Sequence, residues 1–183
     1  MKSPYIVITG FMGCGKTEVA GYLAHQLKLP LIDLDHEILR VEGKSAAELI
    51  VNEGERAFRE IETAILRRIF QLEKNGVIAL GGGAWIEEIN REIIHRVQAV
   101  TVWLNTSFDV CWQRIASSEE DRPLGRTLDQ AFELYKRRAP IYGLAAIAIS
   151  VDAGESVTSI SDRIKAALES GNWTSYSIDR SLR

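Results

Sequence analysis

Residues 10–17 read GFMGCGKT, which fits the pattern G-x-x-x-x-G-K-[S/T] of a phosphate-binding loop. Residues 5–9, YIVIT, form an apolar run typical of a buried strand, and apolar residues recur at helical spacing after the loop. Strand, glycine-rich loop and helix therefore follow one another in the order that the motif requires. Loop glycines let backbone N–H groups turn toward an anion, and the N-terminus of the helix adds partial positive charge.

The motif also predicts roles for single residues of the loop. Lys16 is expected to reach the β- and γ-phosphates of a nucleotide, and the Thr17 hydroxyl is expected to bind Mg²⁺. Gly13, Cys14 and Gly15 are expected to contact the phosphates through their backbone, which leaves the Cys14 side chain nearly free.

Composition excludes several other classes of protein. The chain has 183 residues, 46% hydrophobic and 26% charged, which suits one soluble domain with a substantial core. A net charge of −3 gives no basis for sequence-independent binding to nucleic acid. Cys14 and Cys111 are too few for a disulfide framework or a four-ligand zinc site. With no membrane-length apolar stretch and no signal peptide, we expect a cytoplasmic protein without a membrane partner.

Short apolar segments alternate with helical patterns along the chain. Strands are predicted at residues 5–9, 31–34, 77–80, 100–104 and 147–151. Because short apolar strands separated by helices form parallel sheets, we expect an α/β fold whose sheet is covered on both faces.

Three helices have distinct signals of their own. A capping box, SAAE at residues 45–48, predicts a helix start, and residues 159–168 predict the last helix. The long helix between them is predicted to carry an apolar stripe and to be closed by residues 75–76, Asn-Gly. The stripe consists of Phe58, Ile61, Ile65, Ile69 and Leu72.

Other features narrow the class of phosphate-loop protein. The sequence lacks the N-K-x-D segment of guanine-specific GTPases, and the strand that ends before Gly81 carries no acidic residue. A carboxylate that orders a metal must therefore come from elsewhere. Asp33 and Asp35 are the natural candidates, since ligands of such sheets bind at the carboxyl ends of strands.

Further short motifs follow the loop in order: DLD at 33–35, FR at 58–59, GGG at 81–83, RPL at 122–124 and RAPIY at 138–142. Together with residues 10–13, this set resembles shikimate kinase from about Tyr5 to Leu168. The resemblance implies ATP-dependent phosphorylation of the 3-hydroxyl of shikimate, in the route to chorismate and the aromatic amino acids. ATP would be the co-substrate, with one Mg²⁺ per ATP.

The resemblance also implies an organisation of the chain. It implies the three-layer P-loop fold of the nucleoside-monophosphate kinases, with a five-stranded parallel sheet, helices on both faces and a mobile lid. We expect a single domain at residues 1–170, with a substrate-binding helical region at about 34–62 and the lid at about 112–126. Residues 171–183 are expected to form a flexible polar tail, and the enzyme is expected to be a monomer.

Roles for the acidic residues and glycines follow from the same resemblance. Asp35 would hold the attacking hydroxyl and accept its proton, and Asp33 would support Mg²⁺ through water. An alternative for Asp33 is that it caps the next helix. Gly81, Gly82 and Gly83 would let the acceptor approach the backbone closely.

Four arginines complete the implied site. Arg59 and Arg138 would bind the substrate carboxylate, Arg122 would neutralise charge on the transferred phosphoryl group, and Arg114 would pack against the adenine. Each has a plainer alternative. Arg59 lies at helical spacing from Glu55 and Glu62, either of which could be an ion-pair partner. Arg138 belongs to a basic run that could be a solvated face, Arg122 could be an exposed loop residue and Arg114 a helix-surface residue.

The sequence departs from the family at Gly125, where a second leucine usually follows Arg-Pro-Leu, and we predict a looser lid. Two rival functions remain open. A gluconate kinase would keep the loop and the lid but use a different acceptor pocket. A nucleotide-binding module without catalysis would have lost at least one charged catalytic position. The six charged residues and Thr17 are all present here: Lys16, Thr17, Asp33, Asp35, Arg59, Arg122 and Arg138.

Overall fold

A computed structural model of the chain describes residues 5–118, 124–125 and 127–171. Within these residues five strands pair in parallel, in the order β2-β3-β1-β4-β5. They are β1 (Tyr5–Thr9), β2 (Leu31–Asp33), β3 (Gly76–Ala79), β4 (Val100–Thr106) and β5 (Ile147–Val151). The prediction of a five-stranded parallel sheet is confirmed.

Helices pack around this sheet. They are α1 (Lys16–Leu27), α2 (Leu34–Glu42), α3 (Ala46–Glu53), α4 (Glu55–Leu72), α5 (Glu88–Arg96), α6 (Phe108–Ala116), α7 (Leu128–Tyr142) and α8 (Val157–Ser170), with a 3₁₀ turn at Ala84–Ile86. None of the described helices is both long and apolar enough to cross a membrane.

Burial along the strands follows their position in the sheet. Every residue of β1 and β3, which lie inside the sheet, is buried, because helices cover both faces there. The edge strand β5 instead alternates buried and exposed residues. The apolar runs of the sequence thus correspond to the strands that form the centre of the core.

Several predicted boundaries were wrong, and the second strand and the long helix show why. Leu34 was expected to end the second strand, but it is the first residue of α2, because the Asp33 side chain caps that helix. The long helix was expected to close at residues 75–76, but it ends at Leu72, where Glu73 turns to extended backbone. Gly76 instead begins β3, where a Cβ would lie 3.1 Å from the Pro30 carbonyl oxygen.

The predicted stripe of the long helix was also partly wrong. Leu72 is 64% exposed, and Ile61 is only partly buried. A glutamate, Glu62, takes a place on the buried face, four residues after Phe58 and three before Ile65. The capping box at Ser45 and Glu48 is confirmed in full.

Several of the functional motifs directly follow strands. The phosphate loop begins after β1, Asp33 ends β2, the three glycines come after β3, and α6 begins two residues after β4. In a parallel sheet these carboxyl ends share one edge, where ligands bind. Of the predicted lid, residues 119–123 and 126 lie outside the described part of the chain, as does the predicted tail beyond Gly171.

Candidate active site

The phosphate loop wraps the N-terminus of α1. Gly10, Gly13 and Gly15 have φ values of 146°, 76° and 92°, which L residues with side chains rarely adopt. A Cβ at Gly13 would lie 2.6 Å from the Cys111 carbonyl oxygen of α6, so the loop also needs glycine there for space. Within the described residues no side chain caps α1, and its first N–H groups are therefore available to an anion.

Lys16 and Cys14 are neighbours inside this loop. The Lys16 ammonium donates to the Phe11 carbonyl oxygen at 2.9 Å and lies 3.8 Å from Cys14 Sγ. The expectation that the Cys14 side chain is nearly free was wrong, because the residue is 1% exposed. Its sulfur fills the space beside Gly10, where a Cβ would lie 2.9 Å from it.

Thr17 and Asp33 contact each other at the start of α1, the helix that follows the phosphate loop. Thr17 Oγ1 donates to Asp33 Oδ2 at 2.8 Å, while Asp33 Oδ1 accepts from the backbone N–H groups of Asp35 and His36. The alternative for Asp33, that it caps the next helix, is therefore confirmed, whereas its role toward Mg²⁺ stays a prediction. A hydroxyl and a carboxylate oxygen are hard donors of the kind that Mg²⁺ prefers. The part of the chain that the structure describes holds no group of three or more His, Cys, Asp or Glu side chains suited to a metal.

Asp35 and Glu62 approach one point from two helices. A Cβ built on Gly81 would lie 2.8 Å from Asp35 Oδ1 and 3.2 Å from Glu62 Oε1. Asp35 is exposed at the start of α2, whereas the Glu62 side chain is only 1% exposed. Burial raises the pKa of Glu62 to about 7; the Arg59 guanidinium opposes that rise, and the Asp35 and Glu87 carboxylates add to it.

Arg59 lies between these carboxylates and the turn formed by Gly81, Gly82 and Gly83, called the glycine turn below. Its guanidinium donates to Glu62 at 2.8 Å and to Glu55 at 3.2 Å, so both alternative partners named from the sequence are engaged. Burial lowers the pKa of Arg59, but its two carboxylate partners outweigh burial and raise it overall. A Cβ at Gly83 would lie 2.2 Å from its Nη2. The ion pairs therefore hold the guanidinium directly against the glycine turn.

Arg138 reaches the same turn from α7. It is buried, and its Nη1 donates to the Gly82 carbonyl oxygen at 3.2 Å, so it is not part of a solvated face. The Tyr142 hydroxyl donates to the same oxygen. Burial is the main cause that raises the pKa of this phenol, so Tyr142 is a neutral donor. The two arginines thus approach Gly81–83 from α4 and α7.

A buried network fixes this turn to the helices that carry the arginines. Asn90 accepts from Thr63 of α4 at 2.8 Å and donates to the Ala84 carbonyl oxygen at 2.9 Å. Trp85, 1% exposed, donates from Nε1 to the Ile141 carbonyl oxygen of α7 at 2.9 Å. Trp85 is therefore a packing residue of the turn.

On the other side of the cleft, Arg114 is exposed at the end of α6 and donates to the Gly13 carbonyl oxygen at 3.2 Å. Arg122 lies outside the described residues. Gly125 is buried, and a Cβ there would lie 2.5 Å from Met12 Cε. The looser lid inferred from Gly125 stays a prediction.

These residues line one open cleft of about 1500 Å³. Single small-molecule sites are usually about 300–1,000 Å³, so the cleft has room for a nucleotide and a second small molecule. Its lining includes predicted site residues from every motif that the structure describes: Gly13, Gly15, Lys16, Thr17, Asp33, Asp35, Arg59, Gly81, Gly82, Gly83, Arg114 and Arg138. The buried Cys14 is not among them.

Sequence reasoning missed three residues of this site as contributors, namely Glu62, Asn90 and Tyr142. Glu62 had a usable signal, since its spacing from Phe58 and Ile65 places an acidic residue on the buried face of α4. Thr63, a partner of Asn90, lies 27 residues away in the sequence, and Gly82, the partner of Tyr142, lies 60 residues away. No local sequence pattern predicts such contacts.

Known proteins share this architecture. The shikimate kinase family model matches residues 12–169. Shikimate kinase of Cereibacter sphaeroides is 37% identical over 166 residues, covering 89% of this chain and 81% of the relative. That of Streptococcus suis is 39% identical over 151 residues, covering 80% and 90%.

Solved structures agree with these relatives. Shikimate kinase from Acinetobacter baumannii in complex with shikimate has a TM-score of 0.82 and 30% identity, covering 93% of this chain and 96% of that one. The enzyme from Bacteroides thetaiotaomicron has a TM-score of 0.79 and 34% identity, covering 90% and 98%. The fold is thus the P-loop fold of the nucleoside-monophosphate-kinase type. The chain belongs to the shikimate kinase family, and its reaction is the ATP-dependent phosphorylation of shikimate in aromatic amino acid biosynthesis.

Proposed function

We propose that the acceptor oxygen is the 3-hydroxyl of shikimate, held at Asp35, while the shikimate carboxylate lies between Arg59 and Arg138. The observation that carries this proposal is that both arginines approach Gly81–83, close to the point where Asp35 meets Gly81. A guanidinium suits a carboxylate because its planar fork donates two parallel hydrogen bonds. Arg59 and Arg138 are therefore the pair that selects an acidic acceptor.

On the nucleotide side, the loop backbone and Lys16 bind the phosphates of ATP. Lys16 exchanges its contact with the Phe11 carbonyl oxygen for phosphate oxygens, and Arg114 packs beside the adenine. Thr17 and Asp33 would hold Mg²⁺, which supplies positive charge to the phosphates when bound. We also propose that Arg122 acts from the lid, at residues 112–126, within a single domain of residues 1–170.

Asp35 orients the acceptor hydroxyl toward the phosphoryl group and accepts its proton as the new bond forms. Phosphoryl transfer depends mainly on an in-line nucleophile and on compensated charge, so positioning is the larger part of this role. Water competes as an acceptor, and closure of the cleft around the substrates would exclude it. The enzyme is proposed to work as a monomer in the cytoplasm. Size-exclusion chromatography would measure its oligomeric state.

The test is ADP release from the purified protein with Mg²⁺-ATP and one acceptor at a time: shikimate, gluconate, a nucleoside monophosphate or none. Stimulation by shikimate, with the product phosphorylated at the 3-hydroxyl by ³¹P and proton NMR, would support the proposal. Stimulation by gluconate instead would overturn the acceptor pocket, while ATP binding without stimulation by any acceptor would favour an inactive binding module.

A further inference from the structure

Glu62 is the one acidic residue on the buried face of α4, and the chemistry proposed above gives it no task. Its Oε2 accepts from Arg59 at 2.8 Å. Its Oε1 is buried and has no hydrogen-bond partner among the described residues. An unpaired carboxylate oxygen in such a place is costly for the ionised form, because burial removes water without supplying a donor.

Among the described residues, the charged groups around Glu62 leave it with one favourable neighbour. Arg59 stabilises its ionised form, whereas Asp35 at the start of α2 and Glu87 before α5 oppose that form. Charges on the other packed elements are engaged elsewhere. On α3, Glu48 bonds within the capping box and Glu53 pairs with Lys44. On α5, Arg91 donates to the Trp85 and Ile86 carbonyl oxygens. On α7, Arg138 donates to the Gly82 carbonyl oxygen.

Binding of an acidic acceptor changes this balance. If the acceptor carboxylate bonds to Arg59, as the proposed function requires, two anions share one guanidinium and the favourable neighbour of Glu62 is partly withdrawn. We infer that Glu62 takes up a proton from solvent when the acceptor binds, so that acceptor binding and neutralisation of this buried carboxylate are coupled. The proton adds to a carboxylate oxygen of Glu62, whose charge changes from −1 to zero.

Neutral Glu62 has a consequence for Asp35. Both carboxylates approach the same point above Gly81, so two charges there repel each other. With the proton on the buried Glu62, its repulsion of the exposed Asp35 carboxylate is removed. The structure thus places one buried and one exposed carboxylate at this point.

The coupling is measured by isothermal titration calorimetry of shikimate into the full-length enzyme. Titrations at one pH slightly above 7, in buffers of different ionisation enthalpy, give the number of protons exchanged. The wild type is expected to take up a substantial fraction of one proton. Glu62→Gln should take up almost none, whereas Glu55→Gln, which removes the exposed partner of Arg59, should keep the uptake.

Steady-state kinetics provide a second readout. In the wild type the shikimate KM should rise with pH above 7, by up to about tenfold per pH unit for one coupled proton. In Glu62→Gln this KM should be flat with pH and should fall below the wild-type value at alkaline pH, since no second anion competes for Arg59. A purely structural role for Glu62 instead predicts a higher KM in Glu62→Gln at every pH, with an unchanged slope, and that result would overturn the inference.

The outcomes separate this inference from the proposed function on which it rests. Failure of shikimate to bind the wild type would overturn both, whereas binding without proton uptake would overturn the coupling alone. Should Glu62→Gln fail to fold, ¹³C NMR of the wild-type glutamate carboxyl carbons decides the matter. One carboxyl should titrate near pH 7 and shift its midpoint upward with shikimate; no such carboxyl, or no shift, would contradict the inference.

Discussion

The three glycines after β3 let functional groups approach the backbone closely. The space where a Cβ would lie is taken by Asp35 and Glu62 at Gly81, and by Arg59 at Gly83. Gly82 presents its carbonyl oxygen to Arg138 and Tyr142. At the scale of single residues, the absence of side chains here lets charged groups from three helices converge on one turn.

Gly83→Ala tests this convergence. The φ of Gly83 is −107°, which alanine adopts freely, so the closest conflict is with the Arg59 guanidinium at 2.2–2.6 Å. We expect the shikimate KM to rise by at least about tenfold, as a displaced charge-assisted contact is worth roughly 1.5–3 kcal/mol. Gly21→Ala on α1 is the control, since its Cβ meets only Leu31 at 3.6 Å. A shikimate KM that stays the same in Gly83→Ala would contradict the placement of Arg59.

Arg59→Lys changes the donor and keeps the charge. An ammonium lacks the planar fork, so the shikimate KM should rise about 10- to 100-fold while the KM for ATP changes little. Arg56→Lys is the matched control on the same helix, because the Arg56 side chain is 94% exposed. Initial rates over a range of both substrates measure the two constants. Equal effects of the two substitutions would remove Arg59 from the acceptor site.

Asp35→Asn separates binding from turnover. Nucleotide affinity should be kept, because Asp35 does not contact the phosphate loop in the roles proposed, whereas kcat should fall by about 10²–10⁴-fold if proton transfer depends on this carboxylate. Nucleotide binding is followed by calorimetry and kcat by ADP release. A normal kcat would exclude Asp35 from the reaction.

At the scale of elements, the acceptor site depends on how α4, the glycine turn and α7 are joined. Asn90 connects α4 to the turn through Thr63 and Ala84, and Trp85 connects the turn to α7 through Ile141. These bonds hold the two arginine-bearing helices at a set distance. The two bonds of Asn90 are buried, so water does not compete for them.

Asn90→Ala removes the first connection. The Thr63 hydroxyl and the Ala84 carbonyl lose their partner, so the free energy of unfolding should fall by about 1–3 kcal/mol. The shikimate KM should rise more than the KM for ATP, because the phosphate loop lies outside this network. Urea unfolding measures the first effect, with the exposed Gln71→Ala on α4 as the control, expected within about 0.5 kcal/mol of the wild type. Unchanged stability in Asn90→Ala would show that the network is not needed.

Elements were predictable from the sequence wherever one local signal acted alone. The apolar runs at residues 5–9 and 147–151 predicted both bounds of β1 and β5 correctly, and the Ser45–Glu48 capping box predicted the start of α3. The signals failed where two competed. Leu34 is apolar like a strand residue, yet the cap formed by Asp33 begins α2 there, and Asn75-Gly76 looks like a helix end although Gly76 starts β3.

At the scale of the whole molecule, much of the site could be predicted because the phosphate loop, Asp33 and the three glycines lie at or just after the ends of parallel strands. Helices α4 and α7 bring Arg59 and Arg138 to the same place. The charged residues of the motifs therefore meet at one edge of the sheet. Local patterns did not predict the residues that hold the site residues in place. Asn90 and Tyr142 act on groups distant in sequence, and the importance of Glu62 comes from burial, which only the packing of α4 against α2 and the glycine turn decides.

Burial of Glu62 should appear in the stability of the whole chain. Its pKa is raised from 4.5 to about 7 in the folded state, so the folded chain binds more protons than the unfolded chain between these values. The stability contribution is complete below pH 4.5 and is lost as pH rises through about 7. The expected loss is about 3 kcal/mol, taking about 1.4 kcal/mol per pKa unit.

Urea unfolding at pH 5 and pH 8 measures this loss, and Glu62→Gln isolates it, since glutamine cannot ionise. The difference in unfolding free energy between wild type and Glu62→Gln should shift against the wild type as pH rises across this window. Glu55→Gln is the control, because Glu55 is 48% exposed and pairs with the same arginine. Parallel pH dependences of the wild type and Glu62→Gln would mean that Glu62 stays ionised throughout, and that Arg59 compensates its burial completely.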